Sequence, residues 1–389
     1  DSNHYVLPGI FDLHAHYNVN LFGRKRREEF HVVPIVYLAN GVTSTFPAGE
    51  YLPEQMLELR KQIDRGEKIG PRIFNSGPYF GPARPGWDPE TTAEQIYAEV
   101  DAWAEKGAAG FKAKRISRRH LKPLIERAHQ HGLTVTGHLD SGYRDTINPQ
   151  DAILLGIDRV EHFLWGGDAS TGRSAYSSLE NLEPTSPEFR KNVQLFIDRN
   201  VFFDATITAY GYYGKREVGY DYWADEKSYF TPYVAEFVKK RGRGERYLEQ
   251  FEKIYWVKHK TVKAFFDAGG ADLLTLGTDH PSTGEYLAGF SAHRELEALV
   301  TAGIPPGAAI KIATLNGARA LNVSEKLGSI STGKFADLFV VNGNPIQEIK
   351  NARNVYIVIK AGKLYYAEAL LRSVSGKLGP NNDEEAKEW

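Results

Sequence analysis

Short runs of β-branched and aromatic residues alternate along most of the chain with longer amphipathic stretches, each stopped by a glycine or asparagine. Thr92 opens one such stretch with Gln95 three residues on, then places Ile96, Val100 and Trp103 on one face before Gly107. That is the spacing of a capping box followed by a half-buried helix. Ser117 opens a second, with Leu121, Leu124, Ile125 and Ala128 in a stripe, Pro123 inside it and Gly132 beyond. Ser186-Pro187 opens a third, carrying Phe189, Val193, Phe196 and Ile197 towards Asn200. Residues 10–14, 42–46, 72–76, 110–114, 133–137, 158–162, 201–207 and 272–277 read as the intervening strands. Eight strands alternating with helices predict an α/β fold of the (β/α)8 type, a TIM barrel, with a doubly wound open sheet as the competing arrangement.

After about residue 325 the period changes. Leu338-Phe339-Val340-Val341 and Val355-Tyr356-Ile357-Val358-Ile359 are short β-rich runs, punctuated by Gly333, Gly343, Asn344, Pro345 and Gly362. The pattern predicts a barrel over 6–325, a small β-sandwich appendage over 326–372 formed mainly by these C-terminal strands, and a polar tail over 373–389. The chain opens on Asp1 and is already apolar at Val6-Leu7-Pro8-Gly9-Ile10, which predicts that the natural N-terminus is incomplete.

Charge excludes some partners. With 48 Lys+Arg against 49 Asp+Glu the 389-residue chain has a formal net charge of −1, too little field to gather nucleic acid. No apolar run approaches the roughly 18 residues of a membrane span, so a soluble protein is expected, cytoplasmic or exported. Cysteine is absent. A bound metal therefore has to be held by His, carboxylate or a less ordinary ligand.

Barrel enzymes carry their reactive groups where strands end. Here strand 1 ends in His14-Ala15-His16, whose i and i+2 imidazoles share one face. Strand 4 ends in Lys112-Ala113-Lys114, strand 5 in His138, strand 6 in Glu161-His162 and strand 8 in Thr278-Asp279. Taken singly, each is more often a structural residue than a ligand; five strands supplying metal-compatible groups at one level suit a divalent transition metal, zinc first.

These residues, with Leu7-Pro8-Gly9-Ile10-Phe11-Asp12-Leu13-His14-Ala15-His16, Gly107-Ala108-Ala109-Gly110-Phe111-Lys112, Val160-Glu161-His162, Gly277-Thr278-Asp279, His293-Arg294-Glu295-Leu296 and Gly333-Lys334-Phe335-Ala336-Asp337-Leu338, resemble the amidohydrolase superfamily, in its imidazolonepropionase-like and Xaa-Pro-dipeptidase-like branch. The resemblance runs from residue 6 to about 365. It implies two divalent ions, most simply Zn2+: His14, His16 and Asp279 on one, His138 and His162 on the other, and Lys112, carbamylated by carbon dioxide, between them. Lys112 is preferred to Lys114 by its place in the motif. The same resemblance implies a β-sandwich built from both termini, with strands ahead of the Pro-Gly-Ile-Phe-Asp segment that are absent here.

The implied reaction is hydrolysis of an amide C–N bond in a small molecule, a dipeptide, N-acyl amino acid or aryl amide, with Asp279 as proton acceptor and donor. A lactone, carbamate, urea or phosphotriester is the alternative electrophile, and a non-catalytic scaffold the third reading. Tyr143 and Arg144, after strand 5, stand where dipeptidase-like relatives bind a substrate carboxylate, and a solvated turn is the competing reading. His280, next to Asp279, and His293 are read as lying near the mouth, His280 with a possible substrate contact. Ser76-Gly77-Pro78-Tyr79-Phe80-Gly81-Pro82 replaces a Gly-Gly-His segment of many relatives, which removes a substrate-binding His and leaves Tyr79 as a candidate contact. An aromatic insertion at about 208–245, with Tyr210, Tyr212, Tyr213, Tyr220, Tyr222, Trp223, Tyr229, Phe230 and Tyr233, reads equally as a lid, with Tyr210 facing substrate, or as a contact in a homo-oligomer.

Overall fold

The computed structural model describes residues 3–22, 26–139, 145–162, 164, 179–180, 182–214, 228–240, 248–281 and 288–389. In chain order the strands are His4–Pro8 (β1), Ile10–Ala15 (β2), Asn18–Val19 (β3), Arg27–Glu28 (β4), Val42–Pro47 (β5), Arg72–Ile73 (β6), Tyr79–Phe80 (β7) and Gly110–Lys114 (β8). Thr134–His138 (β9), Arg159–Glu161 (β10), Phe202–Asp204 (β11), Leu274–Thr275 (β12), Leu338–Asn342 (β13), Val355–Lys360 (β14) and Lys363–Tyr366 (β15) follow.

The strands read from the sequence at 10–14, 42–46, 110–114, 133–137, 158–162, 201–207 and 272–277 correspond to β2, β5, β8, β9, β10, β11 and β12. They lie in parallel: β2-β5-β6 form one ladder and β7-β8-β9-β10-β11-β12 the other. Two backbone bonds join the ladders where first meets last, Leu13 N to Leu276 O at 2.9 Å and Asp279 N to His14 O at 2.9 Å. The sheet is thereby closed into a TIM barrel, which excludes the open doubly wound alternative. The strand expected over 72–76 is split. β6 pairs with β5 and β7 with β8, while Gly77, at φ +62°, and Pro78 interrupt the ladder between them.

The barrel strands are covered on both faces, and β2, β5 and β8 are almost wholly buried, their polar side chains included. The helices pack outside them. Ala93–Glu105 carries the full capping box read from Thr92 and Gln95, with Ile96, Val100 and Trp103 inward. Ser186 caps Pro187–Asp198 by accepting from Phe189 N at 3.1 Å. Ser117 behaves differently: its hydroxyl pairs with His120 Nδ1 at 2.8 Å and caps nothing.

The appendage is a four-stranded antiparallel sheet, β1-β13-β14-β15, so the N-terminal run supplies one edge strand. Among the described residues it is a single sheet and not a sandwich; helices Val33–Ala39 and Ala367–Val374 take the place of a second sheet on one face. Phe339, 1% exposed, points from β13 into the barrel side and lies over Gly41 so closely that a Cβ there would fall 2.7 Å from its ring. Gly41 also has φ +76°, where glycine is the least strained residue. The last residues, expected as a polar tail, are docked. Leu378 is fully buried and bonds Tyr229 O, while Tyr233 donates to Asp383 at 2.6 Å. No described helix is long and apolar enough to cross a membrane.

Phe339→Ala removes the side chain that ties sheet to barrel, and a loss of about 3–5 kcal/mol in urea unfolding is expected. A loss below 1 kcal/mol, followed by circular dichroism, would show that the appendage does not share the barrel's core.

Candidate active site

Ring closure brings strand 1 against the segment after strand 8, and with it residues separated by more than 260 positions. His16 Nε2 lies 2.8 Å and His14 Nε2 3.3 Å from Asp279 Oδ1. His162 Nε2 lies 3.9 Å from Asp279 Oδ2. The His14 and His162 rings are 4.6 Å apart, as are those of His138 and His162. Lys112 reaches the same place along β8, its Nζ against Glu161 Oε2. The residues singled out as ligands thus converge at one end of the barrel.

Backbone geometry does part of this work. Along β10 Arg159 and Glu161 share the inner face with Thr136, whose hydroxyl donates to Glu161 Oε1 at 3.0 Å and accepts from Arg159 Nε at 3.1 Å. Alternation would send His162 outward. A left-handed turn, φ +64°, swings it back in, and Asp279 adopts the same conformation at φ +60°. Such residues are uncommon outside glycine and gather at functional sites. The turn at His162 is pinned from both sides: its N donates to Asp204 O at 2.8 Å, and Lys258 Nζ donates to its carbonyl at 2.5 Å. Thr206 Oγ1 meets His162 Nδ1 at 2.6 Å, leaving Nε2 towards the centre.

The HxH strand is fixed similarly. Asp12 accepts from His14 N at 3.1 Å and from Thr278 Oγ1 at 2.7 Å, bridging strand 1 to strand 8. Tyr37 donates its hydroxyl towards the His16 and His280 carbonyls, at 3.1 and 3.0 Å.

Burial sets the charge states. It is the largest cause holding His14, His138 and His162 well below the usual imidazole range, and it brings His16 down to about 4. Neighbouring cations, Lys112 among them, push His14, His138 and His162 the same way. At neutral pH these rings are uncharged, and an unprotonated ring nitrogen can donate a lone pair. Lys112 is likewise held well below the usual amine range, by burial first and then by Lys114. For Asp279, burial acts to raise it, but His14, His16 and His162 together prevail and hold it well below the usual carboxylate range.

Two triads satisfy the spacing a single ion needs: His14, His16 and Asp279, and His14, Glu161 and His162. The donor set, imidazole nitrogen with carboxylate oxygen, fits a divalent transition metal. Glu161 was not among the expected ligands, although it stands beside His162 in sequence. Asp204 was also missed. It ends β11 with both carboxylate oxygens lacking hydrogen-bond partners, one of them 3.9 Å from His14 Nδ1. The strand-end rule that found the others applies equally to it. Burial raises Asp204 well above the usual carboxylate range. Tyr37, Thr206 and Lys258 carried no signal in a single sequence, since each acts through a contact that only the fold makes.

The remaining expected contacts sort differently. Tyr79 faces the barrel interior on the same side as Lys112. Tyr210, expected towards substrate, is 3% exposed, stacked on Phe251 at 5.8 Å with Lys258 4.5 Å from its ring centroid; it is a wall of the interior, because the helix carrying it packs on Leu248–Asp267. His280 is buried and its backbone joins His16. His293, expected near the mouth, pairs with Asn40 O at 2.8 Å inside helix packing. Tyr143 and Arg144 lie outside the described residues, as do Tyr220, Tyr222 and Trp223 of the aromatic insertion.

Residues 250–365 match the Amidohydrolase family. Over 40 residues the chain is 58% identical to Adenine deaminase 4 of Rhizobium meliloti (strain 1021), a stretch that is 10% of this chain and only 7% of that protein. A solved Xaa-Pro dipeptidase with bound methionine in its active site superposes with a TM-score of 0.66 at 23% identity, over 94% of this chain and 87% of that one. The ochratoxinase of A. niger superposes with a TM-score of 0.65 at 18% identity, over 98% and 86%. At such identities the likeness speaks to the fold, and the fold agrees with the family match over the C-terminal third. The match to the Amidohydrolase family thus covers residues 250–365, and the likeness of fold extends over nearly the whole chain.

Proposed function

We propose that this protein is a metal-dependent hydrolase that cleaves the amide C–N bond of a small molecule, a dipeptide, N-acyl amino acid or aryl amide. The observation that carries the reading is the convergence of His14, His16, His138 and His162 with Asp279 and Lys112, uncharged imidazoles around one ionised carboxylate. A folding core has no use for that combination, since each buried polar group costs free energy unless it is paired.

In this reading His14, His16 and Asp279 hold one divalent ion, zinc being the first choice. His138 and His162 would hold a second, and Lys112, as its carbamate, would supply a further ligand. Bound there, such ions polarise a carbonyl and bring water towards a pKa of roughly 7. Burial favours the neutral amine that uptake of carbon dioxide requires of Lys112. As a free amine Lys112 is balanced by Glu161; as a carbamate it would set a second anion beside Glu161, so the modified state needs cations to offset both. Asp279 is the member of the site open to solvent, with 30% of its side chain exposed. It is placed to take a proton from the attacking water and to return it to the departing amine, serving as base and then acid. Tyr79, buried beside Lys112, is one of the walls that exclude water.

Asp279→Asn keeps the shape and removes the proton acceptor. Turnover in an amide panel is expected to fall by about 10²–10⁴-fold, with circular dichroism unchanged; near-normal rates would remove Asp279 from the reaction. Metal content by plasma mass spectrometry, on protein prepared with bicarbonate, is expected at two ions per chain, against one for a site without the Lys112 carbamate. Thr206→Val deletes the partner of His162 Nδ1 and should weaken metal affinity by about 10–100-fold in a competition titration with a chromophoric chelator. Unaltered affinity would mean that His162 is not a ligand.

A further inference from the structure

The C-terminal residues tie together two segments that follow the first and seventh strands of the barrel, β2 and β11. Gly376 N donates to Ser228 O and Leu378 N to Tyr229 O, both at 2.8 Å, and Thr231 N donates to Leu378 O at 3.0 Å. Gly379, at φ +102°, is wedged between the two segments. A Cβ there would fall 2.5 Å from Val234, in helix Pro232–Lys240, and 2.8 Å from Leu21, two residues beyond β3. Further on, Arg27 of β4 donates to Glu388 O at 3.0 Å and lies 4.7 Å from the centre of the Trp389 ring.

The hairpin so tied starts beside His16. β3 begins two residues after that imidazole and pairs with β4 through Asn18 opposite Glu28 and Val19 opposite Arg27. So short a ladder does not hold itself, and its neighbours decide where Asn18 stands. Glu28 anchors it by accepting from Tyr51 N at 2.8 Å; Leu21 and Arg27 anchor it to the C-terminal residues. Asn18 is 1% exposed, with Nδ2 3.4 Å from His16 Nδ1 and Oδ1 without a hydrogen-bond partner among the described residues. Its amide can meet Nδ1 in either sense, as an Nδ2–H donor or, turned over, with Oδ1 accepting from an Nδ1–H. The second sense leaves the lone pair of His16 on Nε2, the atom 2.8 Å from Asp279 Oδ1. Thr206 stands in the same relation to His162.

We propose that Asn18 is a positioning residue that holds His16 with Nε2 offered to an ion, and that residues 376–389 are the fastener that keeps Asn18 there by clamping the β3–β4 hairpin to helix Pro232–Lys240. The proposal rests on the hydrolase reading above. A ligating imidazole is oriented by whatever its other nitrogen bonds, so a loosened hairpin costs metal affinity although no ligand is touched.

Two measurements test it on the full chain. In a zinc titration against a chromophoric chelator, Asn18→Leu should bind about 10–100-fold more weakly than wild type, while Asn18→Asp, which keeps an acceptor for Nδ1–H, should recover most of the loss. Unchanged affinity in Asn18→Leu, or equal losses in both variants, would overturn the role of Asn18. In hydrogen exchange followed by mass spectrometry, Leu378→Ser should speed exchange in β3, β4 and helix Pro232–Lys240 by about tenfold, with β8 and β9 unchanged. Arg27→Met, at an exposed position, should do so in the hairpin and the last residues, with Arg27→Lys partly restoring it. Faster exchange confined to 376–389, or spread evenly through the barrel, would overturn the fastener, as would wild-type zinc affinity in a variant whose hairpin exchanges faster. If the wild type binds no zinc, the hydrolase reading falls and the role of Asn18 with it, and exchange still decides the fastener.

Discussion

The seam where β2 meets the segment after β12 is the constraint on which the site depends. Two backbone bonds cross it, Leu13 N to Leu276 O and Asp279 N to His14 O, and they fix the register of the whole ring. A slip by one residue would turn His14 and His16 to the outer face and send Leu13 and Ala15 inward. Asp12 guards that register from below the site through Thr278, and Tyr37 from above it through the His16 and His280 carbonyls. The groups that hold the seam are therefore the groups that set the distance from imidazole to carboxylate.

The second constraint is electrostatic. His14, Lys112, Glu161, Asp204 and Arg159 are all nearly inaccessible to solvent, and ionised groups so placed are stable only through one another. Burial answers part of the problem by keeping the imidazoles neutral, whereas Arg159, brought down only to about 10, stays charged. Pairing answers another part, in the Lys112 contact with Glu161. Left-handed backbone at His162, Thr206 and Asp279 completes the arrangement, with Lys258 and Glu295 securing the neighbouring turns: Glu295 receives Ile207 N and Thr208 N at 2.9 and 2.8 Å. The price of this strain is met by packing around the rim.

Much of the fold was legible in the chain. Capping residues such as Thr92 and Ser186 mark helix starts through bonds to atoms three residues away, and short β-branched or aromatic runs between turn residues mark the strands. The split of strand 3 was less visible, because Gly77 and Pro78 break a ladder whose partners lie on different strands. The docked C-terminal residues were missed for a related reason: a polar segment anchored by one buried leucine, Leu378, looks like a tail until its partner near Tyr229 is known.

The site divides along the same line. Sequence by itself singled out the candidate ligands, since His14, His16, Lys112, His138, His162 and Asp279 each stand at or just beyond the end of a readable strand, and the family motif chose Lys112 over Lys114. Tertiary structure alone decided that Glu161 and Asp204 lie beside them, that His162 faces inward against its alternation, and that Tyr210 is a wall. Those outcomes depend on ring closure and on contacts across tens to hundreds of residues, and the period of a strand or helix carries no record of which distant element will pack against it.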